Sequence, residues 1–183
     1  HISTQRIESG HGRHYGRVLH RLLEYCATGR LAPDDEEAVA AVTRSLLAAQ
    51  GSSDLSLLED ACLAVARWRA SEIWEELATS DEVHVEVPYA AGQAGRIERG
   101  VIDLVYRVGD GWRLVDYKTQ ALAGEDDAER ERSMVAMLDR YRRQLTSYAD
   151  HWRDAAGDEK VRAGLWLTDC GLWLPLDQVG NTD

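Results

Sequence analysis

The stretch RGVIDLVYRVGDGWRLVDYKT, residues 99–119, decides the fold. Two runs rich in Val, Ile, Leu and Tyr flank Asp110-Gly111, a dipeptide that favours the positive backbone angles of a tight hairpin turn. The pattern predicts two antiparallel strands, about 99–108 and 112–118. Each run contains an acid, Asp103 in VIDLVY and Asp116 in LVDYKT, and Lys118 follows two places after the second. A buried charge is costly unless it is paired or holds a metal, so mid-strand acids need a reason. Alternation along a strand puts Asp116 and Lys118 on one face and Tyr117 on the other. Asp103 then lies near Asp116 or one pair further along, according to register. Two carboxylates and an ammonium on neighbouring strands make a compact site for a hard divalent cation, Mg²⁺ or Mn²⁺. Such ions prefer oxygen ligands and keep waters, one of which can act as nucleophile.

Outward from the hairpin, Val83, Val85, Val87 and Tyr89 alternate with Glu82, His84, Glu86 and Pro88, predicting a preceding strand of the same sheet. Residues 15–80 read as helical. Val18, Leu19, Leu22, Leu23 and Cys26 recur at helical spacing over 15–28, Asp34 and Asp35 offer an N-cap to a helix reaching Gln50, and a third helical region over 55–79 breaks near Ser71. After the hairpin, residues 123–133 read as a solvated loop or a helix entrance. Leu138, Tyr141, Leu145, Tyr148 and Trp152 mark a long helix over about 134–155, and 161–168 and 172–176 read as two more strands joined at Asp169-Cys170-Gly171. With no Phe in the chain, Trp and Tyr must supply the aromatic bulk of the core. The expected architecture is α/β (α+β), one domain over 1–183. Its sheet core of about five strands spans 81–176, with the N-terminal helices on one side and the long helix on the other.

The chain has 183 residues, 44% apolar and 29% charged, which excludes wholesale disorder, collagen-like repeats and coiled coil. A net charge of −11 would by itself argue against a stand-alone nucleic-acid binder. That average hides an uneven spread: residues 1–32 carry five Arg against two acids, and residues 33–87 carry three Arg against thirteen acids. Three cysteines, with neither CxxC spacing nor an even count, point to a reducing, cytoplasmic compartment. No apolar run is long enough for a membrane span. The chain begins with His1 rather than Met, as expected of a piece of a longer protein or a processed chain. It contains no GxxxxGK[ST] motif, so no ATP site is expected in this fragment.

An acid, a gap of twelve residues and then acid-x-Lys, as in Asp103 and Asp116-Tyr117-Lys118, resembles the PD-(D/E)XK nuclease superfamily. Further segments sharpen the likeness to the RecB/AddA-type nuclease domain, the C-terminal nuclease domain of bacterial helicase-nucleases. GRVLHRLLE (16–24) looks like that group's first helix with its histidine at His20, and VEVPY (85–89) like the strand before the hairpin. GVIDLVY with VDYKT looks like the hairpin itself, and YRRQLTSYA (141–149) like the helix that carries Gln144 and Tyr148. The resemblance implies a restriction-endonuclease-like core and a divalent ion, Mg²⁺ or Mn²⁺, held by His20, Asp103, Asp116 and the backbone carbonyl of Tyr117. Lys118 would orient or activate water, and Gln144 and Tyr148 would position Lys118, the water or the DNA. Glu86 matches a family position of less settled role, associated with the metal or with its surroundings. Some relatives carry an iron-sulfur cluster on four cysteines; three at these positions imply none here. The implied activity is metal-dependent DNA cleavage, an exonuclease on single strands or duplex ends, within a helicase-nuclease of double-strand-break repair and recombination. Its implied partners are a helicase domain in the parent chain and a second subunit. The alternatives are a free-standing PD-(D/E)XK exonuclease or endonuclease, and a catalytically silent module that binds DNA or a partner.

Overall fold

The computed structural model of the chain describes residues 12–93 and 96–178. The first eleven residues, part of the basic N-terminal segment and of the expected 1–183 domain, lie outside the described residues, as do 94–95 and 179–183. Helices α1 (Gly12–Ala27), α2 (Glu36–Ala49), α3 (Leu55–Arg69) and α4 (Glu72–Leu77) lead into strands β1 (Val83–Gln93), β2 (Arg96–Val108) and β3 (Gly111–Lys118). Helix α5 (Asp127–Ala156) then carries the chain to β4 (Val161–Leu167) and β5 (Leu172–Pro175). The five strands form one mixed sheet in the order β1-β2-β3-β4-β5. All neighbours are antiparallel except β3 and β4, which α5 connects in parallel. The expected mixed sheet with helices on both faces is therefore the fold.

Local chemistry sets the element ends. Asp35 caps α2 by accepting the Ala38 N–H, and Asp54 caps α3 through the Ser56 N–H. The break near Ser71 is a new helix start, because the Ser71 hydroxyl accepts the Trp74 N–H. Residues 127–133 are helix rather than loop. Asp126 caps α5 through the Glu129 N–H, and Asp127 and Glu129 face the positive end of its dipole. Gly157, with φ of 65°, ends that helix in the left-handed conformation. The hairpin turn also differs from the expected Asp110-Gly111. Val108 pairs with Gly111, so Gly109 and Asp110 make the turn, and Gly109 supplies the positive φ of 57°. This ladder, continued past Leu104 opposite Val115, sets Asp103 level with Asp116.

The sheet buries a core on each face. On one, Leu19, Leu22, Leu23 and Trp68 pack against Leu104, Tyr106, Val115, Tyr117 and Trp166. On the other, Leu138, Leu145 and Tyr148 of α5 cover Ile102, Val105, Leu114, Leu165 and Leu167. In β4, a Cβ on Gly164 would lie 2.5 Å from the Leu174 carbonyl oxygen and 2.7 Å from the Trp173 ring. Gly164→Ala is accordingly expected to cost about 1–3 kcal/mol through overpacking, visible as a lowered thermal midpoint in circular dichroism. An unchanged midpoint would show that β5 moves aside freely.

One irregularity matters for function. Val83 and Val85 pack toward the N-terminal helices, whereas Val87 and Tyr89 pack toward α5; in β2, Leu104 and Ile102 divide the same way. Regular alternation would keep i and i+2 on one face. The swap falls at Glu86 and Asp103, which drop out of the ladder between Val85 opposite Leu104 and Val87 opposite Ile102. Glu86 has φ of 51°, and it is the one non-glycine in the left-handed region among the described residues. Such local disruptions re-aim side chains next to functional sites.

Candidate active site

Helix α1 buries Val18, Leu19, Leu22 and Leu23, which leaves His20 at the edge of that stripe beside the irregular point of β1 and β2. His20 Nδ1 lies 3.0 Å from Asp103 Oδ1, and the ring meets Tyr117 edge-on at 5.6 Å. Asp103 Oδ2 accepts the Tyr117 N–H at 2.7 Å. The re-aimed Glu86 joins this pair: one ligand atom each from His20, Glu86 and Asp103 lies within 4.8 Å of the others. The two carboxylates suit a hard divalent cation such as Mg²⁺ or Mn²⁺ and the imidazole adds a nitrogen donor, so these side chains fit a divalent cation.

Asp116 stands on the α5 side of β3, with its carboxylate paired to the Lys118 ammonium. Its Oδ1 accepts from Gln144 Nε2 at 2.9 Å and lies 3.3 Å from the Tyr148 hydroxyl. That hydroxyl donates to the Val101 carbonyl at 3.0 Å, and Gln144 also bonds Tyr148. Gln144 and Tyr148 share a face of α5 because they are four residues apart. Tyr141, one turn earlier on that face, puts its ring 4.3 Å from Lys118 Nζ. A protonated amine over an aromatic face is attracted to it, so Tyr141 and Asp116 together hold Lys118.

The charges of the two groups act on each other. Burial drives the His20 imidazole down, but the Asp103 carboxylate and its hydrogen bond prevail and raise it above its ordinary range. Burial works to raise Asp103, yet His20, Lys118 and the Tyr117 N–H hold it below the usual carboxylate range. Asp116 is raised by burial and by the Asp103 charge. Lys118 is pushed down by burial but raised further by Asp116, so it stays an ammonium. Glu86 is raised by desolvation and by Asp103. These are closely spaced carboxylates kept apart in ionisation by one histidine and one lysine, a pattern typical of functional sites.

A profile of the PD-(D/E)XK nuclease superfamily matches residues 3–173. The chain belongs to the PD-(D/E)XK nuclease superfamily. Within that superfamily it resembles an ATP-dependent helicase/nuclease subunit of Geobacillus thermodenitrificans, 29% identical over 152 residues. That alignment covers 73% of this chain and 12% of the relative. The helicase/nuclease subunit of the same name from Geobacillus kaustophilus is 28% identical over 99 residues, covering 46% of this chain and 8% of the relative. The chain thus spans about a tenth of the length of the curated relatives it matches. A Vibrio cholerae protein of known crystal structure aligns with TM-score 0.33 and 15% identity, covering 86% of this chain and 48% of that one.

In this PD-(D/E)XK chain, the eight residues singled out from sequence, His20, Glu86, Asp103, Asp116, Tyr117, Lys118, Gln144 and Tyr148, meet around one end of β3. They form two linked clusters. His20, Glu86 and Asp103 make the three-ligand group, while Asp116 is tied to Lys118 and α5. Tyr117 contributes its N–H to Asp103, in a stretch of β3 paired with Trp166 of β4. Sequence reading singled out no role for Tyr141, although its spacing of three and seven residues from Gln144 and Tyr148 was the available signal.

Proposed function

We propose that the chain is a divalent-metal-dependent deoxyribonuclease that cleaves single-stranded DNA, or strands at duplex ends, by phosphodiester hydrolysis. His20 and Asp103 would hold the ion, Mg²⁺ or Mn²⁺, with Asp116 and the Tyr117 carbonyl, and Glu86 beside them. A cation bound there supplies Lewis acidity, lowering the pKa of a water and offsetting charge on the phosphate. Lys118 brings a permanent positive charge to the same end of β3, suited to orienting the attacking water and to the anionic transition state. Gln144 and Tyr148 fix the Asp116 carboxylate, and Tyr141 limits where the Lys118 ammonium can go. Residues 1–183 form one nuclease domain in this reading, belonging to a cytoplasmic helicase-nuclease of double-strand-break repair and recombination. The helicase of the parent chain, with a second subunit, would feed it a strand. Among the described residues no helix is long and apolar enough to cross a membrane.

The observation that carries the reading is the close grouping of His20, Glu86 and Asp103 beside the Asp116–Lys118 pair. The test is degradation of an end-labelled single-stranded oligonucleotide by the full chain with Mg²⁺, with Mn²⁺ and with EDTA. Cleavage with either ion and none in EDTA is expected. Absence of cleavage with both ions overturns the catalytic reading in favour of a silent binding module, and cleavage in EDTA overturns metal dependence.

A further inference from the structure

Arg13, Arg17 and Arg21 recur every fourth residue along α1. Like charges at that spacing repel, so an anion shared between Arg17 and Arg21 would relieve the helix. All three are exposed, and Arg17 makes no ion pair with any described residue. Arg21 Nη1 lies 2.6 Å from Glu24, but Glu24 also has Arg30 at 3.7 Å, so the carboxylate does not cancel the row. Arg17 and Arg21 line one wall of a groove of about 320 Å³. Leu46, Ala49 and Gln50 at the C-terminal end of α2 line it too, together with His20 and two carboxylates, Glu24 and Glu86. The groove therefore opens beside the three-ligand cluster.

Its contents are a chemical description of an occupant. The size is at the low end for small-molecule pockets, roughly 300–1,000 Å³, enough for one nucleotide and too little for a base pair. Two guanidiniums suit the bidentate binding of phosphate oxygens. Leu46 and Ala49 offer an apolar wall to a base, and the Gln50 amide, whose Oε1 is 3.1 Å from His14 Nδ1, offers hydrogen bonds to a base edge. Successive arginines rise about 6 Å along the helix, a step comparable with that between phosphates of an extended strand.

We propose that α1 is a phosphate rail: Arg17 and Arg21, extended by Arg13, bind the backbone of single-stranded DNA and seat the nucleotide next to the scissile phosphate in the α1–α2 groove. This rests on the nuclease reading above and adds a binding subsite to it. It also locates the DNA affinity of an acidic protein on the arginine-bearing face of α1, where the chain's acidic average does not apply.

The experiment is anisotropy of a fluorescein-labelled oligothymidylate titrated with the full chain in EDTA at several NaCl concentrations. Arg17→Ala/Arg21→Ala is expected to weaken binding about tenfold at low salt. It should also reduce the slope of log K against log salt by about 1.4, since each neutralised phosphate on a single strand contributes roughly 0.7. Arg17→Lys/Arg21→Lys should restore the slope. Ala49→Trp, at an exposed position, fills the groove without touching a charge; it is expected to weaken binding about tenfold with the slope kept. An unchanged slope in the double alanine variant overturns the rail, as does a parent chain that does not bind. Parent-like affinity in Ala49→Trp overturns the nucleotide seat. Cleavage by the parent with metal is measured separately: rail-dependent binding by an inert parent refutes the catalysis, not the rail.

Discussion

Asp103→Asn is expected to lower metal-dependent cleavage about a hundredfold or more, because this one carboxylate serves both the metal cluster and the hairpin that carries the second acid. Its two oxygens are separately committed, Oδ1 to His20 Nδ1 at 3.0 Å and Oδ2 to the Tyr117 N–H at 2.7 Å. Asparagine keeps the shape but turns one acceptor into an N–H₂ donor. Whichever way the amide lies, a donor then faces the Tyr117 N–H or a partner that needed an anion. With the amide nitrogen toward Tyr117 a buried hydrogen bond is lost, at about 1–3 kcal/mol; toward His20 it is kept only by a neutral imidazole carrying its proton on Nε2, the nitrogen a metal would need. The larger effect is on charge: the substitution removes an anionic ligand from a three-ligand group and the charge that raises His20. Even partners that only orient metal ligands are worth about 10–100-fold in affinity or activity, so loss of a ligand should reach at least the upper end of that range. The readouts are Mn²⁺ affinity by calorimetry, oligonucleotide cleavage and the thermal midpoint. Activity within threefold of the parent would remove Asp103 from the metal site.

Most of this site is readable from the chain because its chemistry contradicts its surroundings. Asp103 and Asp116 stand out as charges within apolar runs, and the gap between them is fixed by a hairpin whose turn residues are visible as Gly109-Asp110-Gly111. The exact turn is less visible: both Gly-Asp and Asp-Gly are good turn pairs, and only pairing of Val108 with Gly111 decides between them. The start of α5 carried a signal too, Asp126 followed by Glu129, but a run of exposed acids and arginines has no apolar stripe to distinguish helix from loop. Glu86 is the instructive case. In VHVEVPY it occupies the polar position of a plain alternation, which sends it to the opposite face from Val85 and Val87. A left-handed glutamate has no sequence signature, since Glu gains nothing locally from that conformation. Its φ of 51° is imposed by tertiary structure, and by turning both strands there it brings Glu86 to His20 and Asp103. Backbone strain held by the fold at one residue thus explains how Glu86, which only the family resemblance singled out in the sequence, reaches the other two ligands.

The Asp116–Lys118 pair separates stability from activity. Their side chains are 4% and 12% exposed, so each is the other's main counter-charge in a poorly solvated place. Lys118→Met keeps most of the volume but strands a carboxylate whose remaining donor is the neutral Gln144 amide, with the Tyr148 hydroxyl committed to Val101. Breaking a buried pair from one side costs about 3–5 kcal/mol, which for a chain of this size lowers the thermal midpoint by roughly 10 °C. Asp116→Asn leaves the ammonium instead, and here the loss should be smaller, because the Tyr141 face 4.3 Å away still holds it and a lysine can swing its head toward water. In Asp116→Asn/Lys118→Met no charge remains to be solvated, while the Asn oxygen can still accept from Gln144. Thermal melts in EDTA should therefore place the double variant well above Lys118→Met, with a coupling energy of about 2 kcal/mol or more between the two sites. Cleavage should be lost in all three, since neither the carboxylate nor the ammonium can be replaced by a neutral isostere when the transition state is anionic. Simple additivity of the two single losses would show that the pair is not coupled. Cleavage retained in Lys118→Met would reduce Lys118 to a structural counter-ion and leave water orientation to the other groups at the end of β3.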